Sequence, residues 1–401
     1  MRRSRRGFLD VLAGGRSGPD LDTAAWLSAR GHEDYQAQAA QASGTRPARP
    51  ALPPGVKEIK ISSNENPLGP GKAAIDAIVR QFPEAGRYPF NSTPNEGALA
   101  QAIAAKFGVK PANIVLGAGS QEILKSAVRA FTSPTRALVT ASPTFENCTN
   151  IAKRLNHPVV EVKVDSNFRL DLDGMAAAVK GAGLVFLNNP NNPTATVHGA
   201  KAVEDFVKRV RSDSPDTVIL IDEAYHDYVT DPEYKTAVPL ALNTPNVFVA
   251  RTFSKAYGMA GLRIGYAIGA ENTVKPLARL KMPYNVSVFG IAASIAALND
   301  ARHIEDEKAR NTEVRAFTVK ALEDLGCKAS VSQGNFLFVD VGRTNASFRD
   351  ACAKQGVLVG RDFPPFEKTH TRISLGTMDE MKKATAVFRS VLRPVTTTAG
   401  R

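Results

Sequence analysis

Along the chain, short β-branched and apolar runs alternate with stretches whose apolar positions recur every three to four residues. Ile114-Val115-Leu116, Ala137 to Thr140, Val159 to Val164, Leu184 to Leu187, Val218 to Ile221, Val247 to Ala250 and Tyr266 to Ile268 have the length and composition of strands. Several are nearly continuous apolar runs, the pattern of a parallel strand covered on both faces. After the first of them, Ser120 to Phe131 carries Ile123, Leu124, Ala127 and Val128 on one helical face. This alternation between residues 95 and 295 predicts an α/β large domain with a mostly parallel, doubly wound sheet. Residues 296–401 combine helical patterns with two strand runs, Phe336 to Val339 and Val357 to Val359, and predict a smaller α+β domain.

Composition narrows the class without changing this picture. With 401 residues, 43% hydrophobic and 22% charged, the chain can bury more than one core, which excludes disorder, collagen and coiled coil. Cys148, Cys327 and Cys352 are far apart and never form a CxxC pair, so neither a disulfide framework nor a structural zinc site is expected. No apolar run approaches the roughly 18 residues that span a bilayer.

The net charge is +12, from 51 Lys and Arg against 39 Asp and Glu. Eight of the arginines lie in the first 50 residues, and the rest of the excess is spread without a long basic run. Neither nucleic acid nor membrane is therefore an expected partner. Ser4-Arg5-Arg6-Gly7-Phe8-Leu9 has the form of a twin-arginine export motif, and Ala37-Gln38-Ala39 that of a cleavage site. Yet Asp10 and Arg16 interrupt the apolar stretch that a leader needs. Residues 1–55 are thus expected to be a basic arm ending in an Ala/Pro/Gly-rich linker, with the body beginning near Val56. The expected location is the cytoplasm, with periplasmic export as the alternative.

In open parallel sheets, ligands collect at the carboxyl ends of the strands. Four such ends carry unusual chemistry. Gly117-Ala118-Gly119-Ser120-Gln121-Glu122 is a small-residue turn into a helix, suited to a phosphate or simply to a tight turn with Ser120 as helix cap. Asn188-Asn189-Pro190-Asn191-Asn192-Pro193-Thr194 is a rigid turn with more amides than local turn bonding uses. Asp222-Glu223-Ala224-Tyr225 puts a carboxylate at the end of a buried run, costly unless paired or ligand-bound. No His or Cys cluster accompanies it, so no metal is expected. Finally, Lys255 lies in Arg251-Thr252-Phe253-Ser254-Lys255, where desolvation would lower its pKa enough for a Schiff base, with Thr252, Ser254 and Arg263 as anion donors.

A phosphate cup, a carboxylate for a ring nitrogen, donors for a ring oxygen and a nucleophilic lysine are together what pyridoxal 5′-phosphate (PLP) requires. The motifs SSNENPLGP (Ser62–Pro70), GRYPF (Gly86–Phe90), GAGSQE, SPTF (Ser142–Phe145), NPNNPT, IDEAY, TFSKAYGMAGLRIG and RISLGT (Arg372–Thr377) occur in this order. The set resembles the fold-type-I, class I/II aminotransferases, most closely the histidinol-phosphate aminotransferase branch, over about residues 56–390.

That resemblance implies an aspartate-aminotransferase-like fold, in which residues 56–94 complete the small domain and contact a second subunit. It implies Lys255 as the lysine that carries PLP and shuttles the proton, and Asp222 as partner of the pyridinium nitrogen. Tyr225 and Asn192 match donors to the ring oxygen, and Phe145 the aromatic stacked on the ring. Gly119, Ser120, Gln121, Thr252, Ser254 and Arg263 fall where the phosphate binds. Tyr88 matches a tyrosine that reaches the partner subunit's phosphate, which implies a homodimer with shared sites. Arg372 matches the arginine for the substrate carboxylate, with Asn335 positioning it, and Arg361 lies near the place of a second substrate-binding arginine.

Two departures bear on the substrate. Leu68 stands where histidinol-phosphate enzymes usually have Tyr, and Gly360 intervenes before Arg361. Amino acids with apolar or aromatic side chains thereby join histidinol phosphate as expected donors, with a 2-oxo acid as acceptor. A PLP-dependent decarboxylase, lyase or racemase is the alternative on the same fold. A non-catalytic binding module is disfavoured by the full set of catalytic residues.

Overall fold

Residues 57–392 are described by the computed structural model, so the N-terminal arm with its twin-arginine motif and linker lies outside the described residues. A two-residue β1 (Ile59–Lys60) precedes β2 (Ile114–Ala118), β3 (Leu138–Ser142), β4 (Val159–Lys163), β5 (Leu184–Asn188), β6 (Val218–Asp222), β7 (Val247–Thr252) and β8 (Ile264–Gly269). The last seven form one sheet in the order β2-β8-β7-β6-β5-β3-β4. β8 alone is antiparallel to its neighbours. The sequence pattern does not distinguish it from the parallel runs. Its direction follows from the short link Phe253–Arg263, which holds one 3₁₀ turn but no crossover helix of the kind that returns a chain for parallel pairing.

Burial explains the apolar runs. All of β5, β6, β7 and β8 is buried, whereas no residue of the edge strand β4 is fully buried. The helix Ser120–Phe131 buries Ile123, Leu124, Ala127 and Val128 against one sheet face. On the other, the helix Ala200–Asp213 buries Val203, Phe206, Val207 and Val210. Each such large apolar side chain contributes about 1.5–3 kcal/mol. Because six strands run the same way, Gly119, Asn188, Asp222 and Thr252 all arrive at one edge of the sheet.

A second core is assembled from both ends of the described chain. β10 (Phe336–Asp340) pairs antiparallel with β9 (Lys328–Ala329) and β12 (His370–Ser374), and β1 pairs in parallel with β11 (Val357–Leu358). Ile59 and Ile61 pack there with Leu337, Phe348, Ile373 and Phe388. The Ser374 amide donates to Ile61 O at 2.9 Å, which carries the next residues, Ser62–Asn64, alongside β12.

The helix Ala301–Glu323, about 35 Å long, ties this core to the sheet. Its buried Glu307 accepts from the Tyr228 hydroxyl at 3.0 Å and pairs with Arg310, whose Nη1 donates to Gly376 O at 2.8 Å. Among the described residues, no helix is long and apolar enough to cross a membrane, and no group of three or more His, Cys, Asp or Glu could hold a metal. All three cysteines are buried and free.

Candidate active site

The turn after β2 is built around a close approach. Gly119 has φ 76°, and a Cβ there would lie 2.3 Å from Arg263 Nη2, so only glycine fits. Gly119, and not Ser120, is the helix cap; Ser120 is the first helical residue and makes no side-chain capping bond. Arg263, at φ 57°, donates from Nη1 to Ala260 O at 2.9 Å and to Ser254 Oγ at 3.4 Å. Thr252 Oγ1 donates to Ser254 Oγ at 2.9 Å. Hydroxyls, a guanidinium and the open amino end of a helix thus meet at one spot, a donor set for a dianion. Ser120 is half-buried at its rim, and Gln121 is exposed.

One strand along, Asp222 and Glu223 are successive residues whose side chains separate. Glu223 takes two bonds from the Arg251 guanidinium, at 2.7 and 3.0 Å, one from Thr236 and one from the Ala237 amide; it is structural. Asp222 is 2% exposed, and among the described residues its carboxylate receives only the Ala224 amide, at 3.1 Å. Three of the four asparagines after β5 are also accounted for by the fold. Asn188 caps the turn through Asn192 N, Asn189 exchanges bonds with the His198 backbone, and Asn191 binds Pro143 O and Thr144. The Asn192 side chain is different, because its Oδ1 accepts from Arg372 Nη1 at 2.7 Å and its Nδ2 makes no hydrogen bond among the described residues.

Lys255 follows β7 and is half-buried. Its Nζ lies 5.6 Å from the Tyr225 ring centroid and donates to Ser63 O at 3.3 Å. Arg372, on β12, donates to Ser62 O at 2.6 Å and sits against the rings of Phe336 and Phe363, while its Nε is buried without a partner. Asn335 does not reach Arg372, contrary to the expectation that it positions that arginine. Its Nδ2 donates instead to Asn64 O at 3.1 Å and Glu65 O at 3.4 Å, and Asn192 and Ser62 hold the guanidinium. Phe145 is half-buried just beyond β3, packed on the core beneath the sheet.

Two expected residues stand apart. Arg361 is clamped to Glu146, with Nη1 donating to Oε1 at 2.9 Å and Nη2 to Oε2, and its guanidinium carbon lies 4.3 Å from the Phe363 ring centroid. Tyr88 is 68% exposed, stacks on Phe90 and meets the Tyr284 ring at a tilt. Sequence reasoning missed Glu146, Phe363, Ser374 and Asn64. For Asn64 and Ser374 a signal existed, since they lie in SSNENPLGP and RISLGT.

Burial dominates the electrostatics. It pushes Asp222 up to about 7 and Tyr225 up to about 12. It pulls Lys255 down to about 8, assisted by the Arg372 charge, and Arg372 down to about 10. Lys255, Arg263 and Arg372 thus bring three cationic side chains together, while the charge of the buried Asp222 is itself disfavoured. Such a cleft calls for anionic ligands.

A mostly parallel sheet with a lysine, a buried aspartate and Arg263 at its carboxyl edge, joined by Arg372 from the small sheet, defines the aspartate aminotransferase fold. The Thermotoga maritima aspartate aminotransferase structure superimposes with a TM-score of 0.76 at 19% identity, covering 97% of this chain and all of that one. The family described as "Aminotransferase class I and II" matches residues 56–388, and the chain belongs to that family. It is 36% identical over 341 residues to histidinol-phosphate aminotransferase of Moorella thermoacetica, covering 84% of this chain and 86% of that protein. The structure of histidinol-phosphate aminotransferase from Sinorhizobium meliloti in complex with pyridoxal 5′-phosphate has a TM-score of 0.77 at 29% identity, covering 84% and 92%.

Proposed function

We propose that this PLP-dependent aminotransferase uses the residues converging on the cleft as its catalytic and binding set. The observation that carries this is the meeting of Asp222 on β6, Lys255 just after β7 and Arg372 on β12 around one cleft, with an unpartnered buried Arg372 Nε. The site fits PLP. The Gly119 turn admits no side chain beside Arg263, and Asp222 has acceptor capacity left for a ring N–H. Gly119, Ser120, Gln121, Thr252, Ser254 and Arg263 would hold the phosphate, and Asp222 the ring nitrogen. Tyr225 and Asn192 would serve the ring oxygen, Phe145 the ring face, and Lys255 the aldehyde carbon. When bound, PLP supplies a sink for the electron pair released at the substrate's Cα. Lys255 Nζ, whose neutral form is made accessible by desolvation, takes the Cα proton and returns one as general acid. Arg372 orients the substrate by its carboxylate, and Phe336 and Phe363 exclude water from that ion pair. The orientation by Arg372 favours amino-group transfer over loss of the carboxylate.

The other end of the substrate admits two readings. The relatives' names point to histidinol phosphate, whose phosphate needs a free cation. In this chain the Arg361 charge is taken up by Glu146, and the exposed residue after the NENP motif is the apolar Leu68, which favours a donor with an uncharged aromatic or apolar side chain. A half-reaction screen, following the spectral change on adding each amine to PLP-loaded protein, decides between them. We expect phenylalanine or leucine to exceed histidinol phosphate in rate over affinity. Glu146→Gln should raise the value for histidinol phosphate about fivefold, the worth of one partly exposed ion pair. Preference for histidinol phosphate in the unmodified protein would reverse the assignment.

The homodimer is proposed on the exposed aromatic cluster. Tyr88, Phe90 and Tyr284, with Met282 and Phe82 nearby in sequence, form an apolar surface of the kind that marks a subunit contact. With Tyr88 reaching the partner's phosphate, Tyr88→Ala should weaken PLP binding at least about tenfold, the loss of one charge-assisted hydrogen bond. Sedimentation should show a dimer for the unmodified chain; a monomer that loads PLP normally would refute the shared site. The interrupted leader makes the cytoplasm the proposed place of action.

A further inference from the structure

The segment after β1 touches three of the cleft residues, with Ser62 O on Arg372, Ser63 O on Lys255 and the Asn64 side chain on Tyr225. Asn64 is 1% exposed and has φ 55°, a left-handed conformation that residues other than glycine adopt uncommonly. Its main chain is fixed from both sides. The Asn64 N–H donates to Ser374 Oγ at 2.8 Å, and Asn64 O accepts from Asn335 Nδ2 at 3.1 Å. Because Ser374 Oγ accepts from that N–H, its own hydrogen is free to donate, and it does so to Asn64 Oδ1 at 2.7 Å. This bond identifies the amide oxygen, so the atom facing Tyr225 is the nitrogen. Asn64 Nδ2 donates to Tyr225 Oη at 3.1 Å.

A phenol that accepts this bond keeps its own hydrogen for another acceptor, and Tyr225 Oη has no other partner among the described residues. We propose that Asn64 is a positioning residue, which turns the Tyr225 hydroxyl into an obligate donor toward the PLP ring oxygen. Ser374 sets the amide that does so. The inference rests on the proposed role of Tyr225. It also gives the site a mechanical link, since Ser374 lies two residues beyond Arg372 on β12 and its side chain falls on the same face of that strand. The strand that carries the substrate-binding arginine and the phenol that serves the cofactor are thereby joined through one amide.

An aspartate at position 64 would keep the Ser374 bond but could not donate to Tyr225, so the phenol would turn its proton toward the carboxylate. The experiment is a pH titration of the visible spectrum of PLP-loaded protein. A donor to the ring oxygen stabilises negative charge there, and losing that donor raises the spectral midpoint. Tyr225→Phe should raise it. Asn64→Gly, which tolerates the left-handed backbone, should raise it in the same direction by about half to one pH unit, the worth of one net hydrogen bond. Asn64→Gly combined with Tyr225→Phe should titrate like Tyr225→Phe alone.

If Tyr225→Phe shifts the midpoint and Asn64→Gly does not, or if the two shifts add, the positioning role is overturned and the role of Tyr225 stands. An unshifted Tyr225→Phe overturns both. Should Asn64→Gly fail to accumulate, Ser374→Ala frees the amide to flip and is read by the same criterion, with a smaller rise supporting the role and no change overturning it.

Discussion

Lys255→Ala should abolish covalent cofactor attachment and lower the half-reaction by at least about a thousandfold. That figure is a floor, because general acid–base work alone is worth about 10²–10⁴-fold and the proposed role of Lys255 includes nucleophilic attack as well. The physical basis is its pKa. Lys255 is lowered from 10.5 to about 8 by burial and by the neighbouring Arg372 and Arg263 charges. At pH 7 about a tenth of the side chain is then neutral, against roughly three parts in ten thousand for an ordinary lysine. Attack on an aldehyde requires the neutral amine. In PLP-free protein, attachment measured by the growth of visible absorbance should therefore rise about tenfold per pH unit up to about 8 and then level off. A plateau reached only beyond about pH 10, the range of an ordinary lysine, would mean that Lys255 is not desolvated. Borohydride should bleach the unmodified protein and fix the cofactor irreversibly, whereas Lys255→Ala given the same treatment should lose its cofactor on dialysis. Cofactor retained by the variant after dialysis would place the attachment elsewhere.

How much of this is legible in the sequence depends on the range of the interaction. The strands can be read because β-branched runs ending in Gly, Asn or Asp are local signals, and the strand-end rule then locates the cleft. The direction of β8 is not legible, since an apolar run looks the same whichever way it is traversed. Nor does the apolar run before them distinguish Asp222 from Glu223; only the resemblance singles out Asp222. Two adjacent carboxylates acquire different environments only when Arg251, on the next strand, folds over one of them. Arg361 reads as a substrate contact, whereas its clamp by Glu146 joins residues more than two hundred positions apart. Asn64 and Ser374 are separated by still more of the chain. Asn335 shows the opposite failure, a residue assigned to the right neighbourhood and the wrong partner.

Asp222→Asn should weaken PLP binding and lower the half-reaction about a thousandfold, since the amide keeps the shape but loses the charge that holds the ring nitrogen protonated. The same substitution has a second consequence in PLP-free protein. Burial raises the Asp222 pKa from 3.8 to about 7, so the folded chain resists ionising it. Below the unfolded pKa both states are protonated, and the side chain imposes no penalty. As pH rises toward 7 the unfolded state releases its proton first, and stability falls with a full cost of up to about 4 kcal/mol. Thermal melts should thus find PLP-free Asp222→Asn increasingly more stable than the unmodified protein between about pH 5 and 7, with the difference constant above that. Adding PLP should reverse the order, because an ionised Asp222 then has a cationic partner. Glu223→Gln is the control. It breaks a buried, fully bonded ion pair and should cost about 3–5 kcal/mol with or without PLP. If Asp222→Asn and Glu223→Gln destabilise alike in PLP-free protein, Asp222 is a structural carboxylate like its neighbour, and the assignment of the ring-nitrogen partner fails.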